Sequence, residues 1–138
     1  VDFGEKFDYI IFGDVLEHLH NPLKTIEYCR TLLKKDGCIV ASIPNVMHVS
    51  VMEQLLRGEF RYTEVGLLDR THIHLFTQKE IIKMFTETGY DIEKLQGVIY
   101  ELTPHQEELI PKLMSISENV SENMYQVYQY SVVARMLS

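Results

Sequence analysis

The 138 residues suffice for one domain or part of one, and 46% hydrophobic with 24% charged residues is a globular composition, not a disordered or fibrous one. Thirteen Lys and Arg against 20 Asp and Glu leave a formal charge of −7, which argues against a broad nucleic-acid footprint. No apolar run approaches the ~18 residues of a bilayer span, so no membrane partner is expected. The opening residues, VDFGEKFDYI, lack the basic start and apolar stretch of a secretory signal. Cys29 and Cys38 cannot form a thiolate cluster by themselves and are expected as reduced, buried thiols of a cytoplasmic protein. Val1 leads into a strand-like run within a few residues, the start expected of an internal segment.

In chain order, residues 7–12 (FDYIIF) form a nearly continuous apolar run closed by Gly13-Asp14, the pattern of a strand buried on both faces. Asn21-Pro22 supplies an N-cap and a first-turn proline. The helix that follows carries Leu23, Ile26, Cys29 and Leu33 at helical spacing. It is expected to hold Lys34 and Lys35 in its last turn and to stop at Asp36-Gly37. Residues 38–43 read as a second buried strand ended by Pro44-Asn45, completing a βαβ unit. A helix is expected over residues 46–56, followed by a long connection, residues 59–76, of the length that lids and functional loops have. Thr77-Gln78-Lys79-Glu80 is a capping box with Phe76 and Ile81 placed as its hydrophobic staple, and the helix it opens ends at Gly89. Residues 90–100 read as a strand. Thr103 to Gln106 is a second capping box, and Pro111 predicts two short helices over 104–119. Residues 125–136 are the last strand. The order β-α-β-α-β-α-β predicts an α/β fold with a mostly parallel sheet.

Three segments in order, FDYIIFGDVLEHLHNP, LLKKDGCIVASIPN and LDRTHIHLFT followed by a capped helix and Gly-Tyr, resemble the C-terminal half of a class I S-adenosylmethionine-dependent methyltransferase. Within that class they are similar to ubiquinone-biosynthesis O-methyltransferases and to methyltransferase domains found beside glycosyltransferases. The likeness covers residues 5 to about 100. It implies that the four strands are the fourth to seventh of a Rossmann-like sheet, with the seventh antiparallel between the fifth and sixth. The glycine-rich turn of the cofactor-binding half has no counterpart here, since glycines 4, 13, 37, 58, 66, 89 and 97 never cluster. Residues 1–138 are therefore expected as a single partial domain whose N-terminal half, and with it any fused glycosyltransferase, lies elsewhere.

The resemblance implies that Gly13, Asp14, Val15 and Leu16 line the methionine end of the S-adenosylmethionine pocket; the bland alternative is that Gly13 and Asp14 only shape a turn. His18 and His72 are the candidate bases for a substrate hydroxyl, because imidazole is the ordinary base near neutral pH. Against this, Glu17 and His18 could simply brace the strand-to-helix corner, and His72 and His74 could be surface residues around a buried Ile73. No resident metal is expected. The alternative is a divalent ion on Asp14, Glu17, His18 and either His72 or His74, a set resembling the carboxylate-x-x-carboxylate-His of some relatives. Asp69-Arg70 could pair to tie the loop down. Phe60, Tyr62 and the tyrosines of 125–130 read as packing, and His20, His48 and His105 as surface residues. The expected function is methyl transfer to a small-molecule or glycan hydroxyl. The chain by itself is expected to be inactive, with a non-catalytic homodimer through the outward edge of residues 7–12 as the alternative.

Overall fold

The computed structural model describes residues 2–138. Four strands form one sheet. β1 (Phe7–Gly13) leads through one 3₁₀ turn (Leu16–His18) to α1 (Pro22–Cys29) and β2 (Leu33–Pro44). α2 (Val49–Leu56), the long connection, α3 (Gln78–Glu87) and β3 (Tyr90–Val98) follow, and then α4 (Pro104–Ile116), α5 (Asn123–Gln126) and β4 (Gln129–Met136). The sheet order is β1-β2-β4-β3. β1 runs parallel to β2, with Ile11 opposite Val40, and β4 lies antiparallel to both β2 and β3. Three of the four strands thus point one way, although only one of the three pairings is parallel.

Alternation divides the sheet. Ile39, Ala41 and Ile43 face a core shared with Ile26 and Cys29 of α1 and with Ile81, Met84 and Phe85 of α3. Phe12 joins this core, whereas Tyr9 and Ile11 point the other way and are 63% and 73% exposed. The expectation that β1 is buried on both faces therefore fails among the described residues. β1 is an edge strand, and its second face has no cover.

Several element boundaries differ from those expected. α1 ends at Cys29, seven residues before Asp36, because Thr31 Oγ1 turns back to the Tyr28 carbonyl (2.7 Å) and Leu32 engages the sheet by accepting from Phe7 N–H (2.9 Å). Lys34 and Lys35 consequently lie in β2, where a tight irregularity over 33–37 carries Asp36 at φ 62°. α2 is capped by the His48 side chain, which accepts from Ser50 N–H, so it begins at Val49. Asn45, just after β2, is buried and donates to the carbonyls of Met124 and Val127. At α3 only one arm of the capping box forms, Thr77 accepting from Glu80 N–H; at α4 both arms of the Thr103–Gln106 box are present. α4 runs unbroken through Pro111, because Ile110 and Leu113 are buried against α2 while the carbonyl deprived of a donor, that of Glu107, is on the exposed side. β4 begins at Gln129, and Tyr125 belongs to α5. Cys29 and Cys38 are both free and buried, and among the described residues no helix is long and apolar enough to cross a membrane.

Candidate active site

The site lies at the carboxyl ends of β1 and β2, the edge where open α/β sheets take ligands. β1 ends in Gly13, and Asp14 turns the chain with φ 54°. Asp14 is gripped from both neighbouring strand ends. Its N–H meets the Ser42 carbonyl and Oγ (3.3 and 3.0 Å), and its Oδ1 accepts from Ser42 Oγ and from Gln129 Nε2. The turn then buries Leu16 completely, and with it Glu17, which is 1% exposed. The Leu16 side chain is in the core, so of Gly13 to Leu16 the Gly13 backbone and the side chains of Asp14 and Val15 are the accessible surface here.

The long connection closes over this turn. The main-chain carbonyl of Glu17 accepts from both Ile73 N–H (2.8 Å) and His74 N–H (3.0 Å). The extended stretch 72–76 points His72, His74 and Phe76 inward, whereas Ile73 is 50% exposed, the reverse of surface histidines around a buried isoleucine. His18 Nδ1 lies 3.0 Å from the Thr71 carbonyl and His72 Nδ1 2.9 Å from the Leu67 carbonyl. A carbonyl only accepts, so each Nδ1 carries a proton, and in the neutral imidazole Nε2 is the nitrogen that keeps a lone pair. Both Nε2 atoms face Glu17 Oε1, at 3.8 and 3.9 Å, and the two rings meet edge to face with centroids 4.8 Å apart.

Those separations are too long for hydrogen bonds, and neither oxygen of the buried Glu17 carboxyl has a hydrogen-bond partner. Burial pushes the Glu17 carboxyl above its ordinary value. Its own main-chain N–H, nearby without meeting hydrogen-bond geometry, opposes this; the Asp14 charge reinforces it, and the two imidazoles, when protonated, pull it back. Three potential ligand atoms, from Glu17, His18 and His72, lie within 4.8 Å of one another. Asp14 is outside this group because its carboxylate is held by Gln129 and Ser42, and His74 is outside because its Nε2 is directed to the His20 carbonyl at 3.0 Å. A cavity of about 270 Å³ opens beside the three, walled by Asp14, Leu67 and Tyr128 among others.

Other expectations were redistributed. Asp69 and Arg70 do not pair: Asp69 accepts from Thr71 N–H and Oγ1, and Arg70 reaches Glu64 at 2.9 Å on the exposed surface. His48 is buried, not on the surface, and His105 pairs with Glu53 at 2.6 Å. Phe60 packs toward Val51, Leu67 and Leu68. Sequence reasoning missed Ser42, Gln129 and the cavity-facing role of Tyr128, which carry no local motif.

An antiparallel strand inserted between two like-directed strands, with a cavity at the strand ends, defines a Rossmann-like methyltransferase fold. The methyltransferase domain family matches residues 2–95, and the chain belongs to that family. The ubiquinone biosynthesis O-methyltransferase of Rickettsia canadensis is 24% identical over 122 residues, covering 88% of this chain and 49% of its own length. That of Glaesserella parasuis is 25% identical, covering 92% and 51%. The chain thus spans about half the length of these relatives. Among solved structures, a SAM-dependent methyltransferase from Archaeoglobus fulgidus superposes with TM-score 0.59 at 14% identity, over 95% of this chain and 60% of that one. The N-methyltransferase NodS of Bradyrhizobium japonicum, solved with S-adenosyl-L-homocysteine, gives TM-score 0.52 at 12% identity, over 100% and 50%.

Proposed function

We propose that the protein containing this chain is an S-adenosylmethionine-dependent O-methyltransferase acting on a small-molecule or glycan hydroxyl. These residues supply one wall of the cofactor site and the acceptor side, and the glycine-rich half lies outside them. The fit to the cofactor rests on β1: a Cβ added at Gly13 would meet nothing within 4 Å, and Asp14 and Val15 are accessible beside it. When bound, the cofactor supplies a sulfonium-linked methyl group for in-line displacement.

The observation that carries the reading is the convergence of two imidazole Nε2 atoms on a buried carboxyl at the cavity wall. As the hydroxyl oxygen gains the methyl group, its proton passes to Nε2 of His18 or His72, and Glu17 stabilises the imidazolium that results. The main-chain bonds from Nδ1 hold each ring in the tautomer this requires. The test is transfer of labelled methyl from S-adenosylmethionine by the full-length protein to a panel of hydroxyl acceptors, compared with amine acceptors. Methylation of oxygen that His18→Ala and His72→Ala both slow supports the reading; methylation confined to nitrogen overturns it.

A second reading is favoured by the same carboxyl. Glu17, His18 and His72 offer one oxygen and two imidazole nitrogens, a donor set suited to Mg²⁺, Mn²⁺ or Zn²⁺, which would polarise the acceptor oxygen. Elemental analysis of full-length protein purified without chelator or His-tag separates the two readings: a stoichiometric divalent ion supports the second, and its absence with activity intact supports the first.

A further inference from the structure

The Asp14 carboxylate is held by a side chain 115 positions away: its Oδ1 accepts from the amide of Gln129, the first residue of β4, as well as from Ser42 Oγ near the end of β2. We infer that Gln129 is a positioning residue for the cofactor, acting through Asp14, whose carboxylate it fixes for the methionine end of S-adenosylmethionine. The inference rests on the methyl-transfer reading above, in which Gly13 to Val15 line that end. The grip is neutral. An amide and a hydroxyl fix Oδ1 without cancelling the carboxylate charge, as an ammonium or guanidinium would. Both donors take Oδ1, so Oδ2 is left to a ligand. No Lys or Arg is among the described residues that line the cavity. A carboxylate so placed favours a cationic group, and the amino-acid end of the cofactor carries an ammonium.

Gln129 is itself seated by the residues around it. The completely buried Asn45 amide donates to the carbonyls of Met124 (2.9 Å) and Val127 (2.7 Å), and Asn45 N–H donates to the Tyr128 carbonyl (3.0 Å). Tyr128 N–H in turn donates to the Val98 carbonyl at 2.8 Å. Val127 is buried against Gly97 of β3, where a Cβ would collide with its side chain. Gln129 then pairs with Pro44 on one side and Val98 on the other. Its amide therefore extends from a fixed backbone, and only its own side-chain torsions remain to be ordered when it holds Asp14. Gln129→Ala removes the amide and keeps all of these main-chain ties.

The test is calorimetry of the full-length protein with two probes, S-adenosylhomocysteine and methylthioadenosine, which lacks the amino-acid end. Gln129→Ala is expected to weaken S-adenosylhomocysteine about tenfold and to leave methylthioadenosine within about twofold of wild type. Asp14→Asn is expected to weaken S-adenosylhomocysteine as well, and adding Gln129→Ala to it should weaken binding no further, because one residue acts through the other. Equal weakening of both probes marks general damage to the sheet and overturns the inference. So do unchanged binding in Gln129→Ala and independent, multiplying effects of the two substitutions. Wild-type protein that binds neither probe overturns the methyl-transfer reading, and the inference with it; wild-type binding that Gln129→Ala does not alter overturns the inference alone.

Discussion

Ile73 N–H lies 2.8 Å from the main-chain carbonyl of Glu17, so the loop that carries His72 is joined through its backbone to the turn that carries the buried carboxyl. Side-chain substitutions at the site leave this tie in place. The chemistry of the site can therefore be removed while its architecture is kept.

Substituting His72, 7% exposed at its side chain, is expected to abolish a proton acceptor without dislodging the loop. His72→Ala should lower the methyl-transfer rate by ~10²–10⁴-fold. The lost bond to the Leu67 carbonyl should cost about 1 kcal/mol. Single-turnover rates and urea unfolding of the same preparation check the two effects separately.

Glu17→Gln is expected to stabilise the metal-free protein at neutral pH while lowering activity. Burial raises the Glu17 carboxyl, so ionising it costs more in the folded state than in the unfolded one. Below its ordinary value of 4.5 both states hold the proton and there is no penalty; as pH rises through the elevated folded-state value the penalty appears in full. The stability gap between Glu17→Gln and wild type should therefore widen from pH 4 to pH 7. Unfolding midpoints in urea at both values measure it, and a gap that narrows with rising pH contradicts the environment described for this carboxyl.

Gly89 closes α3 at φ 92°, with its carbonyl bonded to the Arg30 guanidinium; an added Cβ would come within 2.6 Å of Arg30 Nη1. Arg30 also donates to the Leu137 carbonyl at 2.9 Å, joining α1 to both the start of β3 and the end of β4. Gly89→Ala should destabilise the protein by about 1–3 kcal/mol through left-handed strain and displacement of Arg30. KM should not change, because the position is at the opposite end of the sheet from the histidines. Thermal unfolding with steady-state kinetics tests both parts.

Ile11, 73% exposed on the uncovered face of β1, tests whether a further half of the domain packs there in the full-length protein. Ile11→Lys is expected to cost roughly 2–5 kcal/mol in that protein, the range for disrupting a buried aliphatic site. A change within about 0.5 kcal/mol, as at an ordinary surface position, would mean that the face is free.

The strands, the helix starts at Pro22 and Pro104, the capping residues Thr77 and Thr103 and the family resemblance were legible in the amino-acid order, because each rests on periodicity or on bonds between residues a few positions apart. Gly13-Asp14 and the Glu17-His18 pair could be marked as candidates for the same reason. Where α1 stops, which face of β1 is left bare, and whether α4 survives Pro111 depended on partners 20 or more residues away. That His72 and not His74 faces Glu17, and that the Asp14 carboxylate is held apart from them, depended on Leu67, His20, Ser42 and Gln129. A side chain's type is local, but the carbonyl or carboxylate it meets is set by how distant strands and a long loop close on one another, and that closure decides the chemistry.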